Sequence, residues 1–96
     1  MDGLLFFLLP SCPHCKLAKL LITEVIAQHP EYASIQITEI DESKQVAFAN
    51  RFAYYYVPSF YFDGVKLHEG HAEKADIERV FAAAAQGVNQ LKRSYP

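Results

Sequence analysis

The sequence predicts a single α/β domain, a mixed four-stranded sheet with helices on both faces, in the order β-α-β-α-β-β-α. Three observations carry this expectation. A continuous apolar run, Leu4 to Leu9, leads directly into a stretch with helical spacing. An Asp63-Gly64 pair separates two short strand-like runs. An amphipathic segment with i, i+3, i+4, i+7 spacing follows them. The 96 residues suffice for one domain, 1–96, with a core over about 4–86 and a tail over 87–96.

Leu4-Leu5-Phe6-Phe7-Leu8-Leu9 is apolar at every position and is ended by Pro10, as expected of a strand buried on both faces. Pro13 suits the first position of a helix, where its missing N–H is not needed. That helix is expected to run to about His29, before Pro30. Leu17, Ala18, Leu21, Ile22 and Val25 form its inner stripe, with Lys16, Lys19 and Thr23 outside. Ser34 to Ile40 reads as a second strand. Asp41 or Ser43 can cap a second helix through about Phe52, with Val46, Ala49, Phe52 and Ala53 inward.

Ser59–Phe62 and Val65–Glu69 read as two strands joined at Asp63-Gly64, a strong two-residue hairpin signal. The last helix is expected over about Glu73 to Ala85, with Ile77, Val80, Phe81 and Ala84 inward and Gly87 closing its end. Val88 to Pro96 then reads as a loose tail. A strand–helix–strand unit requires a parallel pair with a right-handed crossover. The hairpin adds an antiparallel edge to it.

Composition narrows the function classes. Apolar residues make up 51% of the chain, including 7 Phe and 6 Tyr, which argues for a packed core and against disorder. The net charge of -2 argues against a nucleic-acid partner, and Lys92-Arg93 reads as solvated charge. The Leu4–Leu9 run has no basic residue before it and no cleavage site after it, unlike a signal peptide. It is also too short to span a bilayer. No membrane association, a cytoplasmic location and a monomer are therefore expected.

The chemistry-bearing feature is Cys12-Pro13-His14-Cys15, which holds both cysteines of the chain. A secreted disulfide scaffold would need more cysteines, further apart. Cys12 falls at the junction of the first strand and the first helix. Unpaired N–H groups and the helix dipole there favour a thiolate, the reactive form. Cys15 lies one turn along, where Cβ atoms sit roughly 5–6 Å apart. A disulfide needs about 3.5–4.5 Å, so a strained first turn can close the pair and a partner can reopen it. Pro13 fixes the turn, and a protonated His14 would add positive charge near Cys12.

A C-x-x-C pair can also be half of a zinc site, with His14, His68 or His71 completing it. A Pro inside the motif, with strand before and helix after, fits redox chemistry better, so no metal is expected and His68 and His71 read as surface residues. A second element, Val57-Pro58, stands just before the third strand. Isomer populations alone favour trans there, cis being about 5–6% of X–Pro bonds.

These two segments resemble the thioredoxin/glutaredoxin superfamily, over nearly the whole domain from Leu4 to about Ala85. Leu8-Leu9-Pro10-Ser11-Cys12-Pro13-His14-Cys15-Lys16-Leu17-Ala18-Lys19 is similar to a glutaredoxin active-site stretch. The run from Phe52 through Val57-Pro58 to Asp63-Gly64 is similar to the segment that carries the family's cis-proline. The resemblance implies a thioredoxin fold and thiol–disulfide exchange. It implies Cys12 as nucleophile and Cys15 as resolving thiol. It implies a cis Pro58 beside the cysteines, with the Val57 backbone pairing an extended substrate segment.

The implied substrates are protein or small-molecule disulfides. Glutathione or a reductase would be the electron donor, and no cofactor is tightly bound beyond the redox-active disulfide itself. The chain departs from the family in three places. Leu9 and Ser11 stand where glutaredoxins usually carry a basic residue, Glu69-Gly70-His71-Ala72-Glu73 replaces their glutathione-binding turn, and the Trp usual in thioredoxins is missing. Two other classes remain beside the enzyme: an adaptor whose groove binds a partner while the thiols stay idle, and a zinc-binding module.

Overall fold

Leu4–Leu8 forms β1, and all five of its residues are buried. Burial on both sides explains why the run lacks alternation: odd and even positions enter different cores. In this computed structural model the backbone of residues 3–94 and the side chains of residues 3–87 are described. Pro13–Gln28 forms α1, and a single 3-10 turn over Pro30–Ser34 follows it. The remaining elements are β2 (Ile37–Asp41), α2 (Val46–Ala49), β3 (Ser59–Phe62), β4 (Val65–Glu69) and α3 (Lys74–Ser94).

The sheet order is β2-β1-β3-β4. β1 and β2 are parallel, Leu4 opposite Ile37, while β3 runs antiparallel to β1, Leu4 opposite Phe62. β4 closes the hairpin with Phe62 opposite Val65 and a register shift between Phe60 and Tyr61. Asp63 and Gly64 both have positive φ, 52° and 78°, as a two-residue hairpin turn that follows strand twist requires. This is the mixed sheet of the thioredoxin fold, with α1 and α3 on one face and α2 on the other.

Leu4, Phe6 and Leu8 meet Ala18, Ile22 and Val25 of α1 and Ile77, Val80 and Phe81 of α3 in the larger core. Leu5 and Phe7 meet Ile40, Ala49 and Tyr61 in the smaller one. Phe7 is its centre, with the rings of Phe52 at 4.8 Å and Tyr54 at 4.9 Å. Aromatic pairs at such spacings add roughly 0.5–1.5 kcal/mol each beyond their burial.

Four boundaries depart from the sequence reading. β2 begins at Ile37 rather than Ser34, because Pro30 starts a 3-10 turn that occupies the residues through Ser34. Ile35 is still buried, and Ile40 breaks the alternation because it faces the second core. The second helix is only Val46–Ala49. Asp41 does not cap it but holds a preceding turn, accepting from the Ser43 N–H at 2.9 Å. Val46 and Ala53 are exposed rather than inward, and Phe48 packs on the core beside Phe52.

The fourth departure is at the end of α3. Its backbone remains helical to Ser94, so neither a stop at Gly87 nor a loose segment from Val88 holds. Glycine in a helix interior costs about 1 kcal/mol relative to alanine but does not end the helix. Its use here is steric. A Cβ at Gly87 would stand 2.6 Å from Cε1 of Phe62, so only glycine lets α3 cross that ring at this distance.

Candidate active site

The sheet delivers the motif. After Leu8 the chain turns through Pro10 and Ser11, the Cys12 N–H donates to the Leu9 carbonyl at 3.1 Å, and α1 begins. Cys12 is the N-cap of α1, with extended φ and ψ of -78° and 119°. No side chain caps the first turn, so its leading N–H groups lack the usual Ser, Thr, Asp or Asn oxygen. The Cys12 carbonyl accepts from the N–H groups of Cys15 and Lys16, both at 3.1 Å. Pro13 takes the first helical position and is exposed, as is His14.

The two thiols are free and unequal. Cys12 is half-buried at the surface, whereas Cys15 is 2% exposed and belongs to the larger core beside Ala18. Burial pushes the Cys15 thiol up, from 9.0 to about 12. A backbone hydrogen bond with Leu9 pulls the other way, and the hydrogen bond and charge of Cys12 and the charge of Glu42 push it up further. Cys15 lies one turn from Cys12 in the first turn of α1, close enough for Cys12 to act on its thiol.

Val57 and Pro58 stand beside them. The Val57–Pro58 peptide bond is cis, and Pro58 is buried. The Cys12 thiol points at the Val57 carbonyl, Sγ to O 3.9 Å, across 45 residues of sequence. The Pro58 carbonyl accepts the Gly70 N–H at 2.7 Å, which ties this segment to the turn after β4. The sequence-expected residues Cys12, Pro13, Cys15, Val57 and Pro58 are thus gathered at one end of β1.

His14 is turned elsewhere. Its Nδ1 lies 3.0 Å from Nδ1 of His71, in the turn between β4 and α3, and no hydrogen bond joins it to Cys12 among the described residues. His71, expected as a plain surface residue, is exposed but engaged, its Nε2 lying 2.5 Å from Glu73 Oε2. His68 reaches the His71 carbonyl, Nε2 to O 2.9 Å. Among the described residues no three His, Cys, Asp or Glu side chains converge as a metal-binding group.

Two carboxylates escaped the sequence reading. Glu69 accepts the N–H groups of Tyr55 and Tyr56 at 2.6 and 3.0 Å and pairs with Lys66 at 2.7 Å. It thereby pins the backbone just before Val57 and leaves the rings of Tyr55 and Tyr56 exposed. The Lys66 ammonium, then the Tyr55 N–H, hold its carboxyl down to about 2. Burial, and then the hydrogen bond that the hydroxyl donates to Glu42 at 2.7 Å, push the Tyr54 phenol up. Glu42 and Tyr54 line a cavity of about 330 Å³ with Ala49, Asn50, Phe52 and Tyr55. No local sequence signal marks either glutamate, because both contacts are made between distant segments.

The fold and the gathered thiols together define an α/β domain of thioredoxin architecture with a dithiol at the start of its first helix. Comparison with known proteins adds likeness of fold. Ten chains of known structure match. One, described as "Structure of a malarial protein", superposes with a TM-score of 0.63 at 14% identity, covering 84% of this chain and 93% of that one. No family model matches the sequence. No curated protein matches it either.

Proposed function

We propose that this protein is a thiol–disulfide oxidoreductase. The observation that carries the proposal is the placing of Cys12: a half-buried sulfur at an uncapped helix start, 3.9 Å from the Val57 carbonyl, with a buried second thiol one turn along the helix. The Cys12 thiolate attacks a substrate disulfide, forming one S–S bond and expelling one substrate thiolate. Cys15 then loses its proton and attacks Cys12, closing the Cys12–Cys15 bond and expelling the second thiolate. Two electrons pass to the substrate, and the protons of the two cysteines end on the two released thiols.

The pinned Tyr55-Tyr56-Val57 backbone supports a substrate segment lying extended beside Pro58. Protein or small-molecule disulfides are the proposed substrates, and glutathione or a reductase the proposed donor, in a cytoplasmic setting and as a monomer. No helix among the described residues is long and apolar enough to cross a membrane. Reduction of insulin disulfides by the wild-type chain and by Cys12→Ser and Cys15→Ser tests the reading. Cys12→Ser should abolish turnover, and Cys15→Ser should trap a mixed disulfide through Cys12. Turnover that survives Cys12→Ser, or its absence in the wild type with every donor, would overturn it and leave the adaptor reading.

A further inference from the structure

The turn between β4 and α3 lays two polar side chains in a line that ends on the motif. His14 Nδ1 meets His71 Nδ1 at 3.0 Å, the rings edge-on at 82°, and His71 Nε2 meets Glu73 Oε2 at 2.5 Å. Donor and acceptor capacity assigns the hydrogens. A carboxylate only accepts, so His71 Nε2 carries a proton. In neutral His71 the other ring nitrogen is then a lone pair, so His14 Nδ1 must be the donor. His14 is left with a bare Nε2. The two rings have four nitrogens between them. Their contact survives with two or three of these protonated but not with four, since two N–H groups would then face each other. The contact therefore holds one positive charge at most, and Glu73 faces it.

The geometry points to a proton relay, His14–His71–Glu73, in which Glu73 acts through His71 to fix the His14 tautomer and leave His14 Nε2 as the proton acceptor. His71 and Glu73 are then positioning residues for the acid–base chemistry of the motif. The inference rests on the oxidoreductase reading of Cys12 and Cys15. Exchange removes one proton from each cysteine and delivers one to each leaving thiolate. His14 Nε2, bare in the neutral ring and on an exposed side chain, is the nitrogen of this array left free to exchange such a proton with solvent or substrate, with none consumed. When protonated it places a cation two residues from Cys12 and favours the thiolate, hence the reduced state.

The neighbouring charges do not compete for His71. On the α1 side stand Cys12 and the exposed Lys16. From β4, His68 is engaged with the His71 carbonyl. At the start of α3, Asp76 accepts the Glu73 N–H at 2.8 Å and pairs with Arg79, and Lys74 pairs with Glu24 of α1 at 3.1 Å.

Nitrogen-15 NMR of the imidazoles in the full chain reads the tautomers without any turnover. With the rings neutral, His14 should show a protonated Nδ1 and a bare Nε2. His71→Phe keeps a ring but removes the acceptor, and should release His14 into a mixture of tautomers. Glu73→Gln keeps an acceptor but removes the charge. It should lower the reduced-to-oxidised ratio at equilibrium with the glutathione couple by about two- to fivefold, as expected of a lost exposed charge pair. Glu73→Asp should restore much of that ratio. A wild-type His14 protonated at Nε2, or tautomer and equilibrium both unmoved by the two variants, overturns the relay. The expected tautomer with turnover independent of Cys12 sinks the oxidoreductase reading instead, so the two failures are separable.

Discussion

Alkylation of the fully reduced protein should label Cys12 and nearly spare Cys15. The difference can be sized from the burial of the second sulfur. Cys15 is pushed from 9.0 to about 12, first by burial, against a Leu9 hydrogen bond, and then by Cys12 and Glu42. Near neutral pH a rise of that size removes about a thousandfold of its thiolate. A more basic thiolate is also more nucleophilic, with a Brønsted slope of about 0.4–0.5, which returns roughly fifteen- to thirtyfold. Cys15 should therefore react about thirty- to sixtyfold more slowly than an ordinary thiol, before its 2% exposure slows it further. Timed iodoacetamide labelling at pH 7, read by intact mass and peptide mapping, measures this. The Cys15 rate should climb about tenfold per pH unit in alkali, following its thiolate. Cys12→Ser should leave Cys15 sluggish, because burial is the largest cause and stays. Equal labelling of the two cysteines at pH 7 would refute the reasoning.

Two more outcomes follow from contacts away from the sulfurs. Gly87→Ala gains about 1 kcal/mol of helix propensity but forces a methyl to 2.6 Å from the Phe62 ring, an overpacking that costs about 1–3 kcal/mol. Urea denaturation should show net destabilisation of about 0–2 kcal/mol, and a clear gain in stability would show that the ring yields freely. The Glu69 carboxyl ionises at about 2 in the folded chain against an ordinary 4.5. Its stabilisation is thus complete above pH 4.5 and is lost as pH falls towards 2. Protection of the Tyr55 and Tyr56 amides, taken relative to intrinsic exchange at each pH, should fall in that window, and Glu69→Gln should remove the transition; protection that does not change with pH would count against the pin.

Much of the fold was legible because it is written locally. β3, β4 and their Asp63-Gly64 turn fall where strand pattern and turn chemistry place them, and the α1 boundaries follow from Pro13 and Pro30. What misled was local signal overridden by distant packing. Gly87 has the look of a helix end, yet its missing side chain answers a ring on β3. Asp41 has the look of a cap, yet it is spent on Ser43. At the site, Cys12, Cys15, Val57 and Pro58 stood out because motif spacing and a proline mark them. Glu42, Glu69, His71 and Glu73 did not, since each matters only through a partner on another segment.

The strand order leaves β2 and β4 each with one side unpaired in the described chain. Open rims of this kind invite a stranger's backbone to dock and propagate. Both rims are furnished against that. β4 carries Lys66 and Glu69, β2 carries Glu39 and Asp41, and Lys19 of α1 reaches Glu39 at 3.2 Å. An incoming strand would have to strip water from two charged residues on either rim. The apolar centre of the sheet, unbroken from Leu4 to Leu8, is thereby kept from seeding aggregates by its salted margins.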